Sequence, residues 1–472
     1  MAFSTLGFIF HFLPIFLIVY FLVKPSHRNV VMLLGSLVFY AFGNPIYILL
    51  LLGSVLINFF ISDQIHTLVL REKRTSVSTL ARRRGWLVFA LIFDIGMLFF
   101  FKYAAFTIEI INSLMGLDFQ APSFALPLGI SFYTFQMISF VADVYRGEIE
   151  RRVSFVNFAA YATMFPMITS GPITRYKDVA DNLECCDATA RKLEKGITIF
   201  ILGLGYKVIL ADKIASLWTE IWRVGAYGID VATAWLGAWA YSFRIYFDFA
   251  GYSMMAIGIG YILGFHIPEN FRNPYCVKTM TSFWRNWHIT LGAWFKDYVY
   301  IPLGGNRVGA LRSVLNIFIV WMLTGIWHGA SYNFLIWGLF LCAVILIEKG
   351  LIGNFLEKSH VLGHLYMICL IPISWTIFNI TDLTQLVEYL GRMFGVPLEG
   401  MVVNGFSKFT SLIYTYWWLV IICIFFCTPY PLKLVRKFYK SPIMKIILFI
   451  LFWFSVYQIS ISTGNPFIYF RF

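Results

Sequence analysis

"VLNIFIVWMLTGIWHGASYNFLIWGLFLCAVILIE", residues 314–348, places a single histidine, His328, in a run almost without charge. As one helix rising about 1.5 Å per residue the run would be near 50 Å long, against about 30 Å of bilayer hydrocarbon. Folded back at His328-Gly329-Ala330-Ser331, each arm has only about 15 residues, too few to cross alone. Both arrangements predict a break in helix at His328, below the membrane surface. Broken backbone at that depth is tolerated where protein buries it or where it lines a water-filled cavity. A recess or tunnel ending at His328 is therefore expected. An ionisable side chain is costly there and points to function.

The rest of the chain extends this reading. Of 472 residues, 59% are hydrophobic and 13% charged. Apolar runs recur from end to end, and about 20 residues suffice to cross a bilayer. A β-barrel would instead show short alternating segments. The expected fold is an all-α polytopic membrane protein with roughly 11–13 crossings. It is read as one transmembrane domain over 1–472: N-terminal spans in 1–120, a motif-bearing core in 121–350 and C-terminal spans in 351–472. The net charge of +13 is carried by connections such as "REKRTSVSTLARRRG" (71–85). That is the pattern of cytoplasmic loops, not a nucleic-acid footprint. With "KPSHR" (24–28) on the same side, the N-terminus falls outside, and the first apolar segment reads as a retained span. The seven cysteines have no metal spacing, and adjacent Cys185 and Cys186 in a polar loop support neither a disulfide framework nor a metal site.

Residues 266–312 are too charged to span yet dense in aromatics. Phe283, Trp287, Leu291, Trp294, Phe295 and Tyr298 recur at helical spacing, with Arg285, Asn286, Lys296 and Asp297 elsewhere. This predicts an amphipathic helix in the interface or inside the bundle, closed by a turn at Gly304-Gly305. His288 lies on it. His288 and His328 are each flanked by Trp and Gly, and both are candidate site residues. Trp284, Trp287 and Trp327 either shape and dry a tunnel or anchor the interface. Arg244 and Asp248, four residues apart, share a helix face and can neutralise one another; the pair either holds the bundle together or lines a substrate cavity. Asp94 and Asp143, with Lys102 and Arg146 nearby, read as structural pairs. Asn316, with no local partner, is expected to face the cavity.

Five segments together resemble the membrane-bound O-acyltransferase superfamily, in its alginate O-acetylation branch. They are "LPLGISFYTFQMISFVADVYRGEIE" (126–150), "FPMITSGPITRY" (165–176), "RIYFDFAGYSMMAIGIGYILGF" (244–265) with "PENFRNPY" (268–275), "FWRNWHITLGAWFKDYVYIPLGGNR" (283–307) and "LTGIWHGASYNFLIWG" (323–338). The likeness runs to about residue 350 and weakens beyond. It implies a ring of helices around a central tunnel, with re-entrant or amphipathic helices. It makes His328 the family's near-invariant histidine and His288 its second polar position. Two positions depart from the branch: Arg244 stands where it often has Gln, and Met254 where it often has Asp.

The resemblance implies a membrane O-acyltransferase of the bacterial cell membrane. A cytoplasmic acyl-CoA, acetyl-CoA in this branch, or an acyl-carrier thioester would be the donor substrate, with no bound cofactor. The acyl group would pass to an exported polysaccharide, directly or through an extracytoplasmic acetyltransferase partner. His328 is expected to act as general base, since a neutral imidazole offers a lone pair near neutral pH. His288 is expected to donate to the oxyanion, to orient the acceptor or to carry the acyl group. Trp284, Trp287, Trp327, Arg285, Asp248, Arg244, Ser253 and Asn316 are the expected tunnel residues. D-alanyl transfer to teichoic acid is the alternative inside the superfamily, and a lipid or polysaccharide transporter the alternative outside it.

Overall fold

The computed structural model describes residues 2–185, 188–397, 405–462 and 467. Cys186 lies outside the described residues. Helix is the regular structure throughout, and no strand occurs among the described residues. The chain forms two compact units, Met1–Phe200 with Met255–Pro268, and Ile201–Met254 with Glu269–Phe472. The motif-bearing stretch 121–350 is divided between them.

The helices used below are α1 (Ile48–Thr75), α2 (Leu80–Lys102), α3 (Ile130–Arg146), α4 (Val231–Ile262), α5 (Met280–Asn286), α6 (Ile289–Phe295), α7 (Ala310–His328), α8 (Tyr332–Ile347), α9 (His360–Asn379), α10 (Gly405–Cys427) and α11 (Pro442–Ile461). Eight helices among the described residues are long and apolar enough to cross a membrane: α1, α2, α4, α7, α8 with its extension to Lys358, α9, α10 and α11. That number holds only helices long and apolar enough to span; other apolar runs of the sequence form shorter or divided helices. The run at 154–170 becomes Phe155–Thr163 and Phe165–Ile168, separated by a non-helical Met164. The run at 29–43 forms a helix of 14 residues, about 21 Å long.

In the first unit, α1, α2 and α3 pack together around buried polar groups. Asp94 is fully buried and accepts from Asn58 Nδ2 at 2.8 Å. The partner seen for Asp94 is thus an amide on the neighbouring helix, not Lys102 on its own. Asp143 has Arg146 at 3.9 Å, as its spacing suggests, and Lys177 at 3.8 Å.

In the second unit the ion pair of Asp248 also departs from expectation. Its carboxylate meets Lys207 at 2.9 Å, and Lys207 reaches Asp212 at 2.7 Å. Lys207 and Asp248 are both buried. The cation that neutralises Asp248 comes from another helix, 41 positions earlier in the chain, and not from Arg244 one turn away.

The expected break at His328 is present. Helix α7 ends on His328, Gly329 is extended, and α8 begins at Tyr332. The arms are longer than the apolar run alone suggested. α7 has 19 residues and starts before Arg312, while the second arm continues past Glu348 to Lys358 as a 27-residue span. The two helices touch through glycines. A Cβ on Gly325 would stand 2.5 Å from the Phe334 carbonyl oxygen, and one on Gly338 would stand 2.7 Å from that of Trp321. Any side chain there would force the helices apart, which is how small residues permit close approach in membranes.

Candidate functional site

The segment expected to be one amphipathic helix is two helices with His288 between them. Its apolar face is buried as the spacing predicts, at Phe283, Trp287, Leu291, Trp294 and Phe295. The helix itself stops at Asn286 and restarts at Ile289. His288 takes a left-handed conformation, φ 45° and ψ 52°, which is uncommon for a residue with a side chain and costs of order 1–3 kcal/mol. Residues 270–272 hold it there. Arg272 N–H donates to the Asn286 carbonyl at 3.0 Å, and Ile289 N–H donates to the Asn270 carbonyl at 2.9 Å. The break is therefore clamped on both sides of His288 by main-chain bonds.

The N-terminus of α5 is anchored as firmly. The Thr279 hydroxyl accepts from Ser282 N–H at 3.1 Å. Glu348, buried at the end of α8, accepts from Met280 N–H at 2.6 Å, Thr281 N–H at 2.8 Å and the Thr281 hydroxyl at 2.6 Å. A carboxylate at a helix N-terminus satisfies N–H groups that have no partner within the helix. Glu348 so fixes the start of the helix that leads to His288.

His288 is 1% exposed. Nδ1 lies 3.1 Å from Asn270 Oδ1, and Nε2 has no partner among the described residues. The Phe249 ring stands edge-on at 4.7 Å between centroids. Burial pushes the pKa of His288 down to about 3, so the imidazole is neutral at physiological pH.

A cavity of about 230 Å³ opens beside it, lined by Trp284, Trp287, His288, Gly292, Lys296, Trp321 and Thr324 among others. The walls are mainly apolar. Trp284 Nε1–H is buried without a partner among the described residues. The exposed Lys296 is the cation in the lining. This volume is small beside the roughly 300–1,000 Å³ of pockets that take drug-sized ligands.

His328 is 4% exposed and boxed by aromatic rings. Trp337, Phe378 and Trp327 meet it edge-on with centroids 5.0, 5.1 and 5.0 Å away. It is not among the residues lining the cavity. One ring, Trp327, stands against both histidines, 6.2 Å from His288, while Trp337 links His328 to the cavity residue Trp284 at 5.4 Å.

The other expected site residues fall in different places. Trp284 and Trp287 line the cavity. Ser253 accepts from Asn270 Nδ2 at 3.1 Å and so reaches His288 through one side chain. Asn316 donates to the Leu303 and Gly305 carbonyls at 3.2 and 3.3 Å; it secures the loop instead of facing the cavity. The Gly304 and Gly305 N–H groups are spent on Ile301 and Tyr300 carbonyls, as a turn requires. Arg285 is exposed, and Arg244 and Asp248 do not line the cavity. Sequence reasoning misses Asn270 and Glu348. Each is a polar side chain whose partners are remote in the chain, so spacing carries no trace of them. Among the described residues no three His, Cys, Asp or Glu side chains are grouped so as to hold a metal ion.

Comparison with known proteins matches this arrangement to a family. The model of the membrane-bound O-acyltransferase family matches residues 146–382, which include both histidines. The chain is 38% identical over 390 residues to the probable alginate O-acetylase AlgI of Pseudomonas aeruginosa, covering 81% of this chain and 73% of that protein. It is 33% identical over 454 residues to the peptidoglycan O-acetyltransferase of Helicobacter pylori, covering 87% and 82%. The teichoic acid D-alanyltransferase of Bacillus subtilis is 32% identical over 243 residues, covering 49% of this chain and 60% of that one. With its helical membrane fold and two buried histidines, the chain belongs to the membrane-bound O-acyltransferase family.

Proposed function

We propose that this enzyme moves an acetyl group from a cytoplasmic thioester donor, acetyl-CoA or an acyl-carrier protein, to hydroxyls of an exported or cell-surface polysaccharide. It would work in a bacterial cytoplasmic membrane, directly or by passing the group to an extracytoplasmic acetyltransferase. The observation that carries the reading is the small, apolar cavity with a neutral imidazole in its wall. Its size suits a short acyl group, and its mainly apolar walls disfavour water around a thioester. The O-acetyl chemistry in the names of the alginate and peptidoglycan relatives supports the same reading, and those likenesses cover most of the chain. The D-alanyl alternative rests on a likeness over about half of it.

In the reaction, an imidazole takes the hydroxyl proton while the oxygen attacks the thioester carbonyl. The carbon–sulfur bond breaks, and the proton leaves with the thiol. His328 is the base in this proposal on the strength of the family resemblance, not of the cavity lining, to which it does not belong; base catalysis is typically worth about a hundred- to ten-thousand-fold in rate. The partnerless Trp284 N–H in the cavity wall is a donor for the carbonyl oxygen as it gains charge.

Purified His328→Ala, checked for folding, should lose acetyl transfer to polysaccharide by that factor. Turnover near wild type overturns the assignment. His288→Asn serves as a companion variant, because Asn tolerates the left-handed backbone and offers an N–H in place of Nδ1–H.

A further inference from the structure

The hydrogen bonds around Asn270 fix which nitrogen of His288 carries the proton. Asn270 is 1% exposed. Its Oδ1 lies 3.3 Å from Thr290 N–H, 2.9 Å from the Thr290 hydroxyl and 3.1 Å from His288 Nδ1. A backbone N–H can only donate, so the atom facing it is the amide oxygen. The amide nitrogen then points to Ser253 Oγ, which accepts at 3.1 Å. An amide oxygen can only accept, so His288 Nδ1 must be the protonated nitrogen. In a neutral imidazole the other nitrogen is then bare. Nε2 is that nitrogen, and it is the one without a partner among the described residues.

We propose that Asn270 is a positioning residue that locks His288 with Nδ1 protonated and Nε2 bare, so that His288 meets substrate as a hydrogen-bond acceptor. This rests on the acyl-transfer reading and sharpens it. Of the roles expected for His288, donation to an oxyanion is removed, because a bare nitrogen beside a carbonyl oxygen would repel it. The group that Nε2 receives is an O–H or N–H of substrate: a polysaccharide hydroxyl beside the attacking one, or an amide of the thioester donor's arm. The rest of the surroundings are consistent. Phe249 and Trp327 present rings to the imidazole, and Asn270, itself held by Thr290, presents a neutral amide. Burial is what lowers its pKa, and Lys296, the cation in the same cavity lining, is exposed. The Asn270 backbone carbonyl holds Ile289 N–H as well, so one residue sets both the orientation and the backbone of His288.

The test has a spectroscopic and a kinetic arm, both on the full chain in detergent or nanodiscs. Nitrogen-15 spectra of histidine-labelled protein, with His288→Asn to identify the signal, should show one protonated and one bare ring nitrogen, with the proton on Nδ1. A proton on Nε2 overturns the proposal whatever the enzyme's activity. Asn270→Ala should change that pattern and lower acyl-transfer kcat/KM by about tenfold or more, the worth of one good hydrogen bond. Asn270→Asp retains the acceptor for Nδ1–H and adds a negative charge. It should recover activity relative to Asn270→Ala and move the acidic limb of the pH profile upward. A purely structural Asn270 would leave that limb in place, and an unmoved limb in Asn270→Asp overturns the proposal. Loss appearing in the KM for polysaccharide identifies a hydroxyl as the partner of Nε2, and loss in the KM for thioester identifies the donor's amide. If wild type transfers no acyl group, the acyl-transfer reading fails, while the spectra still decide the tautomer.

Discussion

Glu348 offers a way to disturb the site without touching it. Its carboxylate accepts the N–H groups of Met280 and Thr281 and the Thr281 hydroxyl, all at 2.6–2.8 Å, and it is 3% exposed. Glu348→Ala strands two backbone donors at the start of α5. An unsatisfied buried donor costs about 1–3 kcal/mol, so the loss of stability should be roughly 2–6 kcal/mol. Glu348→Gln keeps the shape and one acceptor oxygen but turns an NH₂ toward a donor; it should lose about half as much. The effect should also appear in rate. α5 leads directly into His288, and a displacement of about 1 Å at reacting groups can cost a hundredfold. The Thr279 cap still holds the helix start, so the variant should remain folded with a lowered unfolding midpoint. Fluorescence-detected unfolding in detergent measures the first quantity and acetyl transfer by purified protein the second. A Glu348→Ala protein matching wild type in both would show that α5 is placed by other contacts and refute this reasoning.

Gly292 tests the cavity as the acyl chamber. A Cβ there meets only the Trp284 carbonyl oxygen, at 3.8 Å, so Gly292→Ala should fold and transfer acetyl about as wild type, whereas Gly292→Leu should fold but lose acetyl transfer, with longer thioesters lost first in a chain-length series. The depressed pKa of His288 gives a stability prediction. The folded group titrates near 3 and the unfolded one near 6.5, so the unfolded chain binds more protons between them and stability falls as pH drops through that window. Relative to His288→Asn, wild type should lose about 2 kcal/mol between pH 6.5 and 5, at about 1.4 kcal/mol per unit; parallel pH dependences in denaturant titrations of the two proteins would count against a buried neutral imidazole.

The parts of the site that are legible in the sequence are those written in local composition. The break after His328 is visible because a Gly-Ala-Ser turn interrupts a run too long for one crossing. The burial of Phe283, Trp287 and Leu291 follows from their spacing. The break at His288 is invisible because the apolar period continues through it without a Gly or Pro, and the force that opens the helix comes from residues 270–272. Partner choice fails for a related reason. Arg244 is one helical turn from Asp248, yet Lys207 on another element reaches the carboxylate, and periodicity within one helix cannot report a neighbour. Asn316 has no partner legible in the sequence because its acceptors, the Leu303 and Gly305 carbonyls, are main-chain atoms that a sequence does not display.

The contact between Gly325 and Gly338 has a bearing on how this enzyme can change over time. Because main chain meets main chain one turn before His328, the position of that histidine does not depend on which side chains clothe the outer faces of α7 and α8. Leu315, Phe318 and Leu339 are exposed on those helices. They are free to drift with the lipid composition of the host membrane, while either glycine admits almost no substitution. Adaptation to a new bilayer and preservation of the reaction are thereby assigned to different residues of the same two helices.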